Sequence, residues 1–354
     1  MPERNKGRLH PVVTQLIYSV AAILLSLVAA TIVMLVAGYD PIKAFSAMLN
    51  GAFGSANAIA NTLSKSIPLM FTGFAFAVAN KAGIFNIGGE GQLYLGALAS
   101  AAVALALNGL PRILVLSAAI VAGMVAGGLV GSVIGFIKAK LKINEVIVAI
   151  MLNYIVSLFT SYVVNNPMKA EGSMTAQTEA IADVYLFSKI IPRSQLTTAL
   201  YIGLGVAVLL YFLFHSTRVG FNIRAIGENP HAARPSGINI PLTTIGVMAA
   251  SGALAGMAGV TEVLGKYGRF IDGFSPGFGF TGIAVAVLGQ NNPFGIILTS
   301  ILFGALEAGS MKMSYVASVS TNMVMVIQGL VILFVATPEI VRQIVSRKGE
   351  KAHG

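Results

Sequence analysis

Eight stretches of this chain contain no Asp, Glu, Lys or Arg: 9–39, 91–111, 113–137, 146–168, 194–217, 235–261, 273–306 and 313–338. A helix crosses the hydrocarbon core of a bilayer with about 20 apolar residues, so each run is long enough for one crossing and 273–306 for two short ones. Soluble domains carry about 25% charged residues. Here the figure is 10%, with 56% hydrophobic residues and a mean hydropathy of +0.81, which leaves too little charge to cover a water-facing surface. The expected class is all-α, a polytopic transmembrane helical bundle of about ten spans with broken or re-entrant helices.

The spans expected are 12–38, 64–80, 84–107, 112–137, 145–165, 197–215, 241–265, 275–290, 293–312 and 320–337. The second and eighth are short and interrupted by Gly or Pro, so they are expected to be broken or re-entrant. A membrane tolerates such backbone where it is buried in protein or lines a cavity. After the basic start MPERNKGRLH the apolar stretch runs to about Gly38, beyond the ~7–15 residues of a signal core, and reads as a retained first span. With both termini inside, 14 of the 23 Lys and Arg fall on the cytoplasmic side, the bias that bacterial membrane proteins show. The expected organisation is a single transmembrane domain over 1–354. Its tails (1–11 and 338–354) and the 216–240 loop are cytoplasmic, and 166–196 is an outer loop.

The same bias accounts for the net charge of +10. No basic stripe with interleaved aromatics accompanies it, so nucleic acid is not an expected partner. Cysteine is absent, which excludes a disulfide framework, a thiolate metal site and a cysteine nucleophile. His10, His215, His231 and His353 are too scattered for metal ligation. Gly123, Gly127, Gly131 and Gly135 recur every fourth residue and share one helix face, as Gly252 and Gly256 do. Such stripes let membrane helices approach closely, and building the bundle accounts for them.

A transporter needs an energy source. The one Gly-Lys pair, Gly265-Lys266, has Leu264 where a phosphate loop needs glycine and Tyr267 where it needs Ser or Thr, so this chain has no such ATP site. No metalloprotease or serine-hydrolase motif is present, and no paired intramembrane groups suggest an enzyme. Ion-coupled carriers place ionisable groups deep in the membrane. Of the acids here, Glu145 follows Asn144 at a helix start, Glu262 is within reach of Lys266, and Glu307 is the deepest candidate for a proton relay. An ion-coupled secondary transporter of a small polar solute is the alternative reading.

Residues 222–240, NIRAIGENPHAARPSGINI, interrupt the oily chain. Asn229 is a helix cap and Pro230 suits the first helical position; Pro235 and Gly237 stop the helix soon after. A capped polar helix on the inner face suits docking of a soluble partner. TRVGFNIRAIGENPHAARPSGI resembles the coupling segment of ABC importer permeases of the branched-chain amino acid, ribose and nucleoside group. The matching positions are Arg218, Gly220, Arg224, Ala225, Gly227, Asn229, Ala232, Ala233, Arg234, Gly237 and Ile238, with Pro235 a departure. NKAGIFNIGGEGQLYLGALAS (80–100) and INEVIVAIMLNYIV (143–156) resemble signatures of the nucleoside and simple-sugar permeases in that group.

The resemblance covers nearly the whole chain and implies a non-catalytic permease subunit of a bacterial plasma-membrane importer. Its implied partners are a separate ABC ATPase carrying the ATP and Mg, a second, related permease, and an extracytoplasmic substrate-binding protein that can dock on 166–196. Nucleosides are the implied cargo and alternating access the implied motion. Asn86, Glu90, Gln92, Asn153, Tyr154 and Glu307 are candidates for the substrate pathway or its gating. For Asn86, Glu90 and Gln92 bracing or gating is favoured over substrate contact. Asn153 and Tyr154 are expected either to bond substrate or to tie helices together.

Overall fold

A computed structural model describes residues 11–320 and 322–336; the expected tails fall almost entirely outside them. The described residues form thirteen α-helices and no strand beyond isolated bridges. The described residues fall into two compact units, one within 11–54 and 306–336 and the other from 55–305.

In the first unit, α1 (Pro11–Val36) and α13 (Asn322–Ala336) pack together, and Ala30, Met34, Met48, Leu306, Met313 and Ile327 share one buried cluster. Between them in the chain, α2 (Pro41–Phe53) is a helix outside the ten expected spans. Asp40 caps it, its carboxylate accepting from Ile42 N (2.9 Å) and Lys43 N (3.1 Å). Ala44, Ala47, Met48 and Ala52 form its buried face.

The second unit is built around α3 (Ala56–Asn80), α4 (Gly89–Ala106), α5 (Arg112–Phe136) and α10 (Ile240–Glu262). The first of these corrects an expectation. The 64–80 span was expected to be short and broken, yet α3 runs unbroken for 25 residues through Pro68 and is nearly all buried. Proline deletes one backbone donor, but Ser and Thr hydroxyls support the backbone on either side. Ser66 Oγ donates to Leu63 O (2.7 Å) and Thr72 Oγ1 to Pro68 O (3.0 Å).

The glycine stripes meet each other. An added Cβ on Gly127 would sit 2.8 Å from Gly256 Cα, and one on Gly96 of α4 2.5 Å from the same atom. α5 and α10 therefore touch backbone to backbone, and the stripe is consumed inside the chain. Around this core lie α6 (Glu145–Asn165), α7 (Ala199–Ser216), α11 (Phe278–Leu288) and α12 (Pro293–Ala317), the last crossing from one unit into the other.

Helices α1, α3–α7 and α10–α13 correspond to the ten expected spans. Among the described residues only six are long and apolar enough to cross a membrane unaided: α3, α5, α6, α7, α10 and α12, with α5 and α10 extended by short π-helical turns. The eighth span is short, as expected: it is α11. Its 11 residues rise about 16 Å, half of a hydrocarbon core of about 30 Å. Gln290 and Asn291, both at positive φ, then turn the chain into α12.

Candidate functional site

The 216–240 segment contains two helices where the sequence suggested one. α8 (Arg218–Glu228) begins at Thr217, whose hydroxyl accepts from Gly220 N (3.0 Å). Its buried residues Gly220, Ile223 and Ile226 recur every third position, an amphipathic signal that was available in the sequence. Gly220 abuts the end of α7, where a Cβ would lie 2.7 Å from Phe214 Cα; on Gly227 it would lie 3.0 Å from the Lys81 carbonyl carbon. These glycines bolt α8 onto the ends of α7 and α3. Arg218 is exposed, while Arg224 is half-buried and acts electrostatically on Lys81. The Lys81 ammonium lies 5.4 Å from the Phe214 ring centre. Burial, and after it the Arg224 charge, holds this lysine below the usual lysine range.

α9 (Pro230–Ala233) follows directly, capped as its letters suggested. Asn229 Oδ1 accepts from His231 N (2.9 Å) and Ala232 N (3.2 Å). Gly237, at φ +78°, returns an N–H to Arg234 O (3.1 Å) and stops the turn. Ala232 and Arg234 are exposed, but Ala233 is 3% exposed and packs inward. The outward surface of this turn is therefore His231, Ala232 and Arg234.

A second constellation forms where two chain breaks meet. Extended residues 84–87 lead into α4, and 268–277 lead into α11. Helix starts leave N–H groups without intrahelical partners, and inside a membrane these must be satisfied by protein. Asn153 of α6 serves α4: its Oδ1 accepts from Gly91 N (2.9 Å) and its Nδ2 donates to Ile87 O (3.0 Å). Glu90 of α4 serves α11, accepting from Gly279 N (2.7 Å). Ser275 Oγ accepts from Phe278 N (3.1 Å), and Tyr94 Oη accepts from Ser275 N (3.3 Å). Buried Asn86 donates to Gln92 Oε1 (3.0 Å) and to Ser251 Oγ (2.7 Å), and Ser251 in turn donates to Ala75 O (2.6 Å).

Four of the six pathway candidates, Asn86, Glu90, Gln92 and Asn153, thus surround the start of α4. Tyr154 does not join them; it is 67% exposed on the outer face of α6. Glu307 belongs to the other compact unit. Ser251, Ser275 and Tyr94 were missed, because their partners lie far away in the chain. The expected Glu262–Lys266 pair is present at 3.1 Å, and Glu145, with Asn144 capping its helix, pairs with Lys138.

The 166–196 segment is folded against 264–272. Thr178 N bonds Phe270 O (3.0 Å), Ile181 N bonds Gly268 O (2.8 Å) and Phe187 N bonds Leu264 O (2.9 Å). Between the two strips lies a cavity of about 550 Å³ bordered by Arg112, Asp183, Lys189, Lys266 and Arg269.

Comparison with known proteins agrees with this geometry. Residues 58–336 match the family described as branched-chain amino acid transport system / permease component. The guanosine ABC transporter permease protein NupP of Bacillus subtilis (strain 168) is 34% identical over 96% of this chain and 98% of its own length. The nucleoside ABC transporter permease protein NupB of Lactococcus lactis subsp. cremoris (strain MG1363) is 34% identical over 94% and 96%. The glucose ABC transporter permease protein TsgB13 of Haloferax volcanii is 30% identical over 90% and 87%. The matched stretch contains both the α8–α9 segment and the α4–α11 meeting point. The chain is a multi-pass membrane protein and belongs to the branched-chain amino acid transport system permease component family of ABC transporter permeases.

Proposed function

We propose that this chain is the transmembrane permease subunit of an ATP-driven nucleoside importer in a bacterial plasma membrane, with both termini in the cytoplasm. Two relatives named for guanosine and nucleoside transport, each 34% identical over more than nine tenths of this chain, support nucleosides over sugars. The relative named for glucose transport is 30% identical. The subunit is not an enzyme: ATP and Mg are bound and ATP is hydrolysed on a partner ABC ATPase. A second, related permease completes the membrane part, and an extracytoplasmic binding protein delivers solute to the face formed by 166–196 and 264–272.

The observation that carries the reading is the capped, outward-facing turn of α9 on the end of α8. A movement of the ATPase against Asn229, Ala232 and Arg234 passes into α8. The backbone contacts at Gly220 and Gly227 transmit it to α7 and α3. Arg218 and Arg224 flank this lever, Ala233 seats the turn from within, and Gly237 ends it. Asn86, Glu90, Gln92 and Asn153 hold the two broken helices that such a movement shifts between inward-open and outward-open states.

The test is co-purification and nucleoside-driven ATPase activity of the reconstituted complex carrying Ala232→Glu and Arg234→Glu together. Both positions are exposed, so the variant folds while ATPase binding and uptake are lost. Unchanged ATPase binding refutes the coupling assignment. Uptake by the isolated chain in proteoliposomes under a proton or sodium gradient, lost in Glu307→Gln, would establish an ion-driven carrier instead.

A further inference from the structure

An apolar groove of about 480 Å³ runs along one side of α10 in the 55–305 unit. Its walls include Leu210 and Leu213 of α7, Val219, Asn222 and Ile223 of α8, and Met124 of α5. Leu242 and Leu254 mark its ends on α10. The separation is twelve residues, or about 18 Å of helix, close to the ~15 Å of one leaflet's hydrocarbon. Its floor includes Gly246 and Ala250, both exposed, and a Cβ on Gly246 would meet no atom within 4 Å. No segment among the described residues fills it.

Cations stand beside one end of the groove. Arg218 stands four residues before Asn222, on the same face of α8, and is exposed. Lys81 follows three residues after Val78, which also lines the groove, and Arg224 is close enough to act on it. Among the described residues no carboxylate lies within ion-pair distance of Lys81, Arg218 or Arg224. Three cations with no ion-pair partner among the described residues thus stand within a helical turn of positions that line one end of the recess.

We propose that this groove binds an anionic phospholipid, one acyl chain lying along Gly246 and Ala250 and the phosphate resting among Arg218, Lys81 and Arg224. A transmembrane helix from a partner permease fits less well, because it needs a channel spanning the full ~30 Å core and has no use for the cations. The proposal is independent of the solute carried. Since Val219 and Ile223 belong to α8, a seated acyl chain touches the same lever that Gly220 and Gly227 fasten to the bundle. The lipid is thus placed to tune the coupling movement.

The experiment purifies the full transporter complex from membranes of phosphatidylglycerol or phosphatidylcholine and counts retained lipid by native mass spectrometry. Phosphatidylglycerol is retained and phosphatidylcholine is washed away. Arg218→Gln weakens retention about five-fold, the effect of one basic residue at an anionic surface, while Arg218→Lys preserves it. Ala250→Leu, which fills the groove, abolishes retention; Arg218→Gln decides the matter should that variant misfold. Equal retention of the two lipids overturns the proposal, as does unchanged retention in a well-folded Ala250→Leu. So does a disulfide from Gly246→Cys to a cysteine placed on another permease chain, which would assign the groove to a partner helix.

Discussion

Replacing Gly252 with alanine tests the packing that the rest of the bundle depends on. The added methyl group would land on the Gly127 carbonyl oxygen and 3.1 Å from Gly131 Cα. These are backbone atoms of α5, so no side chain can rotate away, and the two helices must separate. Overpacking of this kind costs about 1–3 kcal/mol. Six residues earlier on the same helix, Gly246 has no neighbour within 4 Å of its Cβ position. Alanine there gains the usual advantage over glycine in a helix, about 0.5–1 kcal/mol. The helix preference is common to both chemically identical changes, so they should differ by about 1–3 kcal/mol, the overpacking alone. Thermal unfolding of the purified chain in one detergent measures this: Gly252→Ala melts below the parent, and Gly246→Ala melts with it or above. If Gly252→Ala melts with the parent, α5 and α10 do not touch through their backbones.

Removing the cap of α9 by Asn229→Ala costs about 1 kcal/mol. It should weaken ATPase binding roughly five-fold in a pull-down titration, whereas Asn229→Asp, which keeps the acceptor, should restore it; identical behaviour of the two variants argues against a role for the cap. At the meeting of the broken helices, Glu90→Gln retains an acceptor for Gly279 N–H, while Glu90→Ala strands that buried donor at a cost of about 1–3 kcal/mol. Thermal melts should place Glu90→Ala well below Glu90→Gln, and equal midpoints would remove Glu90 from its capping role.

Features encoded within one or two turns were legible in the letters. Apolar stretches located ten helices, Asn229-Pro230 and Asn144 marked true helix starts, and the Gly/Pro-rich 275–290 stretch signalled a helix too short to cross. Features settled by distant partners were not. Pro68 looked like a break, but α3 is buried along most of its length and continues as helix through it. α8 carries Arg218 and Arg224, so a search for charge-free runs passes over it, whereas α2 lies mostly in the uncharged stretch 44–64, whose Gly, Ser and Asn hide it from a search for spans. Glu90 stood out as an acid beside a span, yet its partner Gly279 lies 189 residues away. Asn153 and Tyr154 looked equivalent as neighbours in sequence; successive helical positions point about 100° apart, which sends one inward and the other out.

The short reach of α11 bears on how the protein is made. An 11-residue helix is below the length at which a nascent segment partitions into the bilayer by itself. Its first two N–H groups, on Phe278 and Gly279, find their acceptors on Ser275 and on Glu90, the latter synthesised some 190 residues earlier. During biogenesis the 268–292 hairpin must therefore wait at the insertion site, shielded from lipid, until α4 is in position to receive it. Integration of this strip is consequently a late assembly step, and a stalled ribosome before α12 should leave it accessible to water.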